Sequence, residues 1–264
     1  MPASDLRHRL HLLFKRMESW FGPRRRGQSP TVLVDDEDLL VSYLPGTGAK
    51  AVVVFAGMAT ALGKRTPMEF VGLAAGQGGP VLFISDLRRS WYSYPGLKEK
   101  IQRAVTGFCA QHGVAELCTI GNSMGGYGAI LFAGLLPNVR HVAAFAPQVL
   151  LTAPVLAMPQ WEDSRPFITS DVVEDLVPGM LSSAVHYTIV YGDQDLDDQI
   201  HTAHLPKAAN IDMLVLPGCD HKVARWLKSK GVLAELGAAM LKGQPEVIDQ
   251  FRQSLNRSAA ILAA

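Results

Sequence analysis

The sequence predicts an α/β fold in three layers, with a mostly parallel β-sheet between two layers of helices. Short apolar segments rich in β-branched residues alternate with longer amphipathic segments from residue 51 onward, a pattern typical of repeated β-α-β units. The length of 264 residues suits one large domain of this class. Hydrophobic residues make up 48% of the chain and charged residues 19%, so a substantial core is expected.

An amphipathic helix and a linker are predicted over 1–30, ahead of the α/β domain at 31–264. Within 4–21, apolar residues recur at three- and four-residue spacing, and Gly22 with Pro23 ends the pattern. The helix packs on its own domain or on a neighbouring subunit, or else it contacts a membrane surface or a partner through its basic face. The sequence alone leaves these alternatives and the oligomeric state open.

The elements of the domain follow in order from periodicity and turn residues. Two short apolar segments, 31–35 and 38–44, flank an acidic turn and predict a β-hairpin. Thr66 and Glu69 predict a capping box at the start of a helix, with Pro67 as the first helical residue. Further strands are predicted at 51–55, 80–85, 117–120, 139–145, 187–191 and 212–216, and further helices at 95–112, 124–136, 222–240 and 245–257.

The segment 147–185 interrupts the alternation and is predicted to form a small, partly helical lid. It holds several prolines and Trp161, with weak periodicity. So long an unpatterned segment in a domain indicates either a function or disorder, and in open α/β sheets ligands bind over the strand ends. Its apolar side is therefore expected to face the functional site. The alternative is a surface excursion packed on the sheet edge.

The composition argues against several classes of protein. Lys and Arg number 25 against 24 Asp and Glu, so the net charge of +1 gives no general attraction to nucleic acid. Three cysteines, Cys109, Cys118 and Cys219, form neither a disulfide framework nor a zinc-ligand pattern, so no metal is expected. No apolar run reaches the roughly 18 residues of a membrane span, and charges interrupt the N-terminal apolar stretch that a signal peptide would need. A cytoplasmic protein is expected.

The segment with the clearest chemical meaning is Gly121-Asn-Ser123-Met-Gly125, between a predicted strand and a predicted helix. A serine on a tight strand-to-helix turn projects its hydroxyl above the sheet edge, in a strained backbone conformation. Glycines two residues away on either side let the strand and the helix approach without a Cβ clash. The N–H groups at the helix start favour developing negative charge. Ser123 is therefore the candidate nucleophile.

This stretch, Gly-Asn-Ser-Met-Gly-Gly-Tyr at 121–127, resembles the nucleophile elbow of the α/β-hydrolase superfamily, and the resemblance covers roughly 31–240. Within the superfamily the chain looks like small bacterial serine hydrolases and esterases. The resemblance implies a chain order of nucleophile, acid and base, with the acid after a late strand and the base after the last strand. The chemistry that it implies requires no cofactor.

Both of these later positions are occupied. The next-to-last predicted strand leads into Gly-Asp-Gln-Asp, which resembles the superfamily's Gly-x-x-Asp turn and points to Asp195 as the acid. Asp193 is the alternative, while Asp197 and Asp198 fit the turn less well. His221 lies on the loop after the last strand, where the superfamily places its base. A solvated acidic turn is the structural alternative for the carboxylates.

An oxyanion hole needs two backbone N–H donors. Met124, directly after the nucleophile, is expected to supply one, and Met58, in the loop after the strand at 51–55, is expected to supply the other. Many members of the superfamily have His-Gly where this chain has Ala56-Gly57. The chain therefore departs from that pattern but keeps the glycine.

Aromatic residues near these loops are candidate substrate contacts. Asp86-Leu-Arg88 resembles the superfamily's Asp-x-Arg segment, and Trp91 and Tyr92 follow it. These two side chains either shape the loop or line the pocket. Trp161, from the predicted lid, is the third candidate for substrate binding.

Together these features predict a serine hydrolase that cleaves a carboxylic ester or thioester of a small-molecule acyl substrate through an acyl-serine intermediate. In this scheme His221 is the general base and then the general acid, and Asp195 orients its imidazole. Two alternatives stay open: an acyltransferase with the same triad, and a non-catalytic module of the same fold that acts through its N-terminal helix.

Overall fold

The computed structural model describes residues 29–58, 68–162, 165–168, 176–182 and 184–262. The predicted N-terminal helix lies outside these residues, so its role stays a prediction. In the described part of the chain, eight strands form one sheet in the order β1-β2-β4-β3-β5-β6-β7-β8. The strands are β1 Thr31–Asp35, β2 Leu39–Leu44, β3 Lys50–Phe55, β4 Val81–Asp86, β5 Glu116–Asn122, β6 Val139–Phe145, β7 His186–Gly192 and β8 Ile211–Leu216.

One strand of this sheet, β2, runs against the other seven. β1 pairs antiparallel with β2, and β2 pairs antiparallel with β4. The remaining neighbours, from β4 and β3 to β7 and β8, pair in parallel. The predicted hairpin and the predicted mostly parallel sheet are both confirmed. Because parallel strands end at the same edge, the loops after β3, β5, β6, β7 and β8 meet at one edge of the sheet.

Helices cover both faces of this sheet, which confirms the three-layer prediction. They are α1 Val71–Ala75, α2 Leu97–His112, α3 Met124–Leu135, α4 Ala153–Leu156, α5 Val177–Ser182, α6 Leu196–Ala203, α7 Val223–Ser229, α8 Leu233–Lys242 and α9 Pro245–Leu262, with 3-10 turns at Pro159–Trp161 and Arg165–Phe167. Alternate residues of β3 face two cores: Val53 and Phe55 pack with α2 and α3, whereas Val52 and Val54 pack with α1, α7 and α8. Among the described helices, none has both the length and the apolar character needed to cross a membrane.

The helix predicted to begin at the Thr66 capping box begins later. Its first described turn is α1, preceded by Phe70 in the left-handed conformation and without a side-chain cap. Glu69 does not cap this helix; its carboxyl accepts a hydrogen bond from the N–H of Gly57 at 3.0 Å. A contact with the loop after β3 has therefore taken the place of the predicted capping contact of Glu69. Thr66 and Pro67 lie outside the described residues.

The segment 147–185 contains α4, α5 and the two 3-10 turns, and its base belongs to the domain core. Val155 and Trp161 are buried in the same core as α2 and α3. The N–H of Leu150 donates to Nδ1 of His201 on α6 at 3.0 Å, and His201 is fully buried. The start of the segment is therefore fixed to the sheet's helical layer, and its role as a lid stays a prediction.

Candidate active site

Ser123 lies at the turn between β5 and α3. Its backbone has φ 56° and ψ −122°, a conformation that residues other than glycine rarely adopt and that clusters at functional sites. The N–H of Ser123 donates to the Phe145 carbonyl at 2.8 Å, and the N–H of Tyr127 donates to the Ser123 carbonyl at 3.1 Å. Bonds from the neighbouring strand and from the helix thus hold the strained turn at the carboxyl edge of the sheet.

The two glycines of the motif allow an unusually close approach of backbone to backbone. A Cβ on Gly121 would overlap the carbonyl of Gly125, and a Cβ on Gly125 would overlap the carbonyl of Phe55 at the end of β3. Only glycine fits at both positions, which is the physical reason for their spacing around Ser123. The start of α3 therefore lies against the end of β3 as well as that of β5.

His221 lies on the loop after β8, and its ring reaches the nucleophile candidate. Nε2 of His221 lies 3.0 Å from Oγ of Ser123, although 98 residues separate the two in the chain. The loop is held beside the end of β7, because the N–H of Gln194 donates to the Cys219 carbonyl at 3.0 Å. A Cβ on Gly192 would overlap the same carbonyl, so the glycine that ends β7 permits this approach.

The carboxylate beside His221 is Asp198, which corrects the expectation of Asp195. Oδ1 of Asp198 lies 2.7 Å from Nδ1 of His221, and the Asp198 side chain is 0% exposed. Asp195 is instead the N-cap of α6, and its Oδ1 accepts from the N–H of Asp198 at 3.0 Å. An N-cap carboxylate turns back onto the first turn of its own helix, whereas Asp198, inside that turn, points to the core.

The other two acids of this stretch have different contacts. Oδ1 of Asp193 accepts from the N–H of Gly218 at 2.8 Å, and so joins the end of β7 to the loop that carries His221. Asp197 lies 3.6 Å from Nε2 of His201. Asp193 therefore supports the geometry of the loop rather than contacting the imidazole.

These contacts determine the protonation of His221. An ionised carboxylate can only accept, so Nδ1 carries a proton toward Asp198, and the unprotonated Nε2 is an acceptor within reach of the Ser123 hydroxyl. Burial lowers the pKa of His221, but its hydrogen bond to Asp198 and the charges of Asp198, Asp195 and Asp197 outweigh burial and raise that pKa above 6.5. Burial raises the pKa of Asp198, and the bond to His221 opposes that rise. His221 is thus a stronger base than a free imidazole.

Gln148 is a site residue that the sequence analysis missed. It follows β6, and its Oε1 lies 3.0 Å from Oγ of Ser123. The hydroxyl has one proton, so it donates either to Gln148 or to His221. When it donates to His221, the amide of Gln148 is available to a ligand. One feature of the sequence could have indicated a role for Gln148 in the site: it is a polar residue directly after a buried parallel strand, where ligand contacts concentrate.

Comparison with solved structures identifies this architecture. An esterase from Pyrobaculum calidifontis is similar at 13% identity with a TM-score of 0.60, over 92% of this chain and 93% of that one. An alpha-beta serine hydrolase homologue from Coxiella burnetii is similar at 16% identity and a TM-score of 0.53, over 84% and 100%. The chain has the α/β-hydrolase fold.

The hydrolase fold is also shared with the capsule O-acetyltransferase of Neisseria meningitidis serogroup A, at 13% identity and a TM-score of 0.54, over 83% of this chain and 99% of that chain. No protein-family model matches the chain, and no curated protein matches it in sequence. At these low identities the solved structures establish the fold and leave the activity to be argued from the site itself.

The predicted oxyanion donors lie at neighbouring strand ends of this hydrolase fold. Phe55 pairs with Gly121 across β3 and β5, so Met58 and Met124 each come three residues after a paired position. Met124 is the first residue of α3 and is fully buried, and Met58 is half-buried. Their positions are compatible with two N–H donors facing the nucleophile, and that role stays a prediction.

The three aromatic candidates for substrate contact are buried in the core of the hydrolase domain. Trp91 and Trp161 are each 2% exposed, and their ring centroids lie 5.0 Å apart. Tyr92 is 0% exposed, and its hydroxyl donates to the Ala56 carbonyl at 3.0 Å. This burial favours the structural alternative for all three side chains.

Replacing Trp161 with alanine is expected to destabilise the protein by about 3–5 kcal/mol, because it empties the space of a buried aromatic ring. Unfolding in urea measures the loss. Leu181→Ala is the matched control in the same segment; Leu181 is 51% exposed, so its loss should stay within about 0.5 kcal/mol. Wild-type stability of Trp161→Ala, together with an altered preference for acyl chain length, would instead assign Trp161 to a lid over the pocket.

A cluster of possible metal ligands coincides with this site. Ligand atoms of Asp195, Asp198 and His221 lie within 4.8 Å of one another. Both ring nitrogens of His221 already have partners, however, Asp198 on one side and Ser123 on the other. The cluster therefore fits a hydrogen-bonded triad better than it fits a cation.

Proposed function

We propose that the protein is a serine hydrolase that cleaves a carboxylic ester or thioester through an acyl-serine intermediate. One observation carries this proposal: a continuous hydrogen-bonded chain from Asp198 through His221, at 2.7 Å, to Ser123, at 3.0 Å. A serine is a poor nucleophile unless a base takes its proton, and the base needs an orienting group. Here each partner is within hydrogen-bonding distance of the next.

In the acylation step, Oγ of Ser123 attacks the carbonyl carbon while its proton passes to Nε2 of His221. The imidazolium that forms is stabilised by the buried carboxylate of Asp198. The carbonyl oxygen becomes an oxyanion, for which the N–H groups of Met124 and Met58 are the proposed donors. The intermediate then collapses: the carbon–oxygen or carbon–sulfur bond breaks, and the leaving alcohol or thiol takes the proton from His221.

In the second step, His221 takes a proton from water as the water oxygen attacks the acyl-serine. Collapse of this second intermediate returns the proton to Oγ of Ser123 and releases the carboxylic acid. No cofactor enters either step. An acyltransferase differs only in replacing water by an alcohol, so the same proposed triad could serve that variant, and the capsule O-acetyltransferase of the same fold supports keeping it as the second candidate.

The proposal is tested with a fluorophosphonate probe and a series of p-nitrophenyl esters of graded acyl length. We expect covalent labelling that maps to Ser123 and turnover that peaks at one chain length. An added alcohol acceptor distinguishes hydrolysis, which yields free acid, from transfer, which yields a new ester. Absence of both labelling and turnover would contradict the proposal and favour the non-catalytic module.

A further inference from the structure

The peptide unit between Ala56 and Gly57 is held from both sides by side chains. Its carbonyl accepts from the hydroxyl of Tyr92 at 3.0 Å, and its N–H donates to Oε2 of Glu69 at 3.0 Å. The N–H of Ala56 donates to the Ile84 carbonyl at 2.9 Å, which continues the sheet up to this point. The orientation of this peptide is therefore set by two side chains from outside the strand.

Packing and hydrogen bonds hold Tyr92 in place. Its ring packs edge-on against Phe55 and Phe132, with centroids 5.5 and 5.8 Å away. Its N–H donates to Oδ2 of Asp86 at 2.9 Å, an oxygen that also accepts from the loop residue Ser90. The loop after β4 thus presents the Tyr92 hydroxyl in one position.

The second side chain of this arrangement is Glu69, whose position is not explained by capping of the helix that follows it. Glu69 is half-buried; the loss of water around its carboxyl raises its pKa to about 7, an effect that the hydrogen bond from Gly57 opposes. The charge of Glu69 also acts on Tyr92, whose pKa is raised chiefly by burial, then by the charges of Asp86 and Glu69. Removing a carboxyl from water costs stability unless it is hydrogen-bonded, and within the described residues Glu69 accepts from Gly57 and does not cap the helix that follows it. Its position beside Gly57 indicates a functional contribution.

The clamped peptide lies next to the nucleophile strand. A Cβ on Gly57 would come within 3.0 Å of the carbonyl of Asn122, the residue before Ser123. Met58, whose N–H is the proposed second oxyanion donor, is the next residue along the chain. Any rotation of the Ala56–Gly57 peptide therefore moves Met58 relative to Ser123.

We propose that Glu69 and Tyr92 are positioning residues that clamp the Ala56–Gly57 peptide and so orient the N–H of Met58 toward the developing oxyanion. This inference rests on the proposed function, since an oxyanion forms only if Ser123 attacks a carbonyl. The clamp acts on the transition state, because hydrogen bonds to the oxyanion strengthen as charge develops. Its loss should therefore lower kcat and leave KM nearly unchanged.

Three variants test the clamp. Tyr92→Phe removes only the hydroxyl, Glu69→Leu removes the acceptor, and Glu69→Gln keeps an amide oxygen that can accept from Gly57. Tyr187→Phe is the matched control, because Tyr187 is 1% exposed but lies at the amino end of β7, away from the site. Each variant is assayed for kcat and KM on the best p-nitrophenyl ester, and for inhibition by a boronic acid that forms a tetrahedral serine adduct.

We expect Tyr92→Phe and Glu69→Leu to lower kcat about 10- to 100-fold and to weaken boronic acid inhibition in proportion. Glu69→Gln should retain most of the wild-type activity, and Tyr187→Phe should behave as wild type. If Glu69→Leu does not fold, Tyr92→Phe carries the test alone. Wild-type kcat in Tyr92→Phe, with Ser123 still labelled by fluorophosphonate, overturns the clamp only. An unlabelled, inactive wild-type protein overturns the proposed function and the clamp with it.

Discussion

Replacing Ser123 with alanine is expected to lower kcat about 10⁶-fold, because the acyl-serine cannot form without Oγ. The same change should abolish fluorophosphonate labelling. The fold should be retained, since the backbone bonds to Phe145 and Tyr127 that hold the turn do not involve the side chain. Steady-state hydrolysis of a p-nitrophenyl ester and mass spectrometry of the labelled protein measure the two effects.

Ser42→Ala is the control for this experiment. Ser42 is also a buried serine, 6% exposed. It lies on β2, near the edge of the sheet opposite to β8, the strand that precedes His221. Its replacement should leave both labelling and turnover intact. If Ser123→Ala kept most of the esterase activity while remaining folded, the activity would have to come from another nucleophile.

Replacing Asp198 with asparagine is expected to lower kcat about 10⁴-fold. Asparagine keeps the shape of the side chain but removes the charge that stabilises the imidazolium, and its amide can stabilise the wrong tautomer of His221. Asp195→Asn is the matched control, because asparagine is as good an N-cap as aspartate, so α6 should persist and activity should fall little. A larger loss for Asp195→Asn than for Asp198→Asn would contradict the observed pairing.

The same pair of variants should differ in the pH dependence of kcat/KM. His221 must be neutral to act as a base, so activity rises as the pH passes upward through its pKa. Asp198 contributes strongly to raising that pKa above 6.5. Asp198→Asn should therefore move the acidic limb of the profile to lower pH, and Asp195→Asn, which removes a weaker contribution, should move it less in the same direction. An acidic limb unchanged in Asp198→Asn would exclude His221 as the titrating base.

The proposed nucleophile and the proposed base could be located from the sequence because local rules govern their positions. The turn at Ser123 requires glycines at 121 and 125, since both backbones approach too closely for a Cβ. His221 follows the last apolar strand, and parallel strands must end at the same edge. Alternation of apolar and amphipathic segments likewise predicted the mostly parallel sheet, because each face of a strand needs a covering helix.

The sequence could not show which carboxylate contacts His221. Four carboxylates crowd the stretch after β7, and a turn motif ranks them by position in the chain, whereas the contact depends on helix rotation. Asp195 is the N-cap of α6. The helix that begins there places Asp198 on its buried face, together with His201 and Thr202 at helical spacing.

What the sequence by itself determined was therefore the class of fold, the order of its eight strands and two of the three positions of the proposed triad, whereas the single helix predicted at 222–240 is two helices, α7 and α8. Tertiary structure alone decided which carboxylate contacts His221, the contact of Gln148 with Ser123, and the contact of Glu69 with Gly57 in place of a helix cap. The physical reason is the same in each case. Periodicity and turn chemistry fix which face a residue occupies, but partners 12 to 98 residues apart meet only when packed elements set the distance between their side chains.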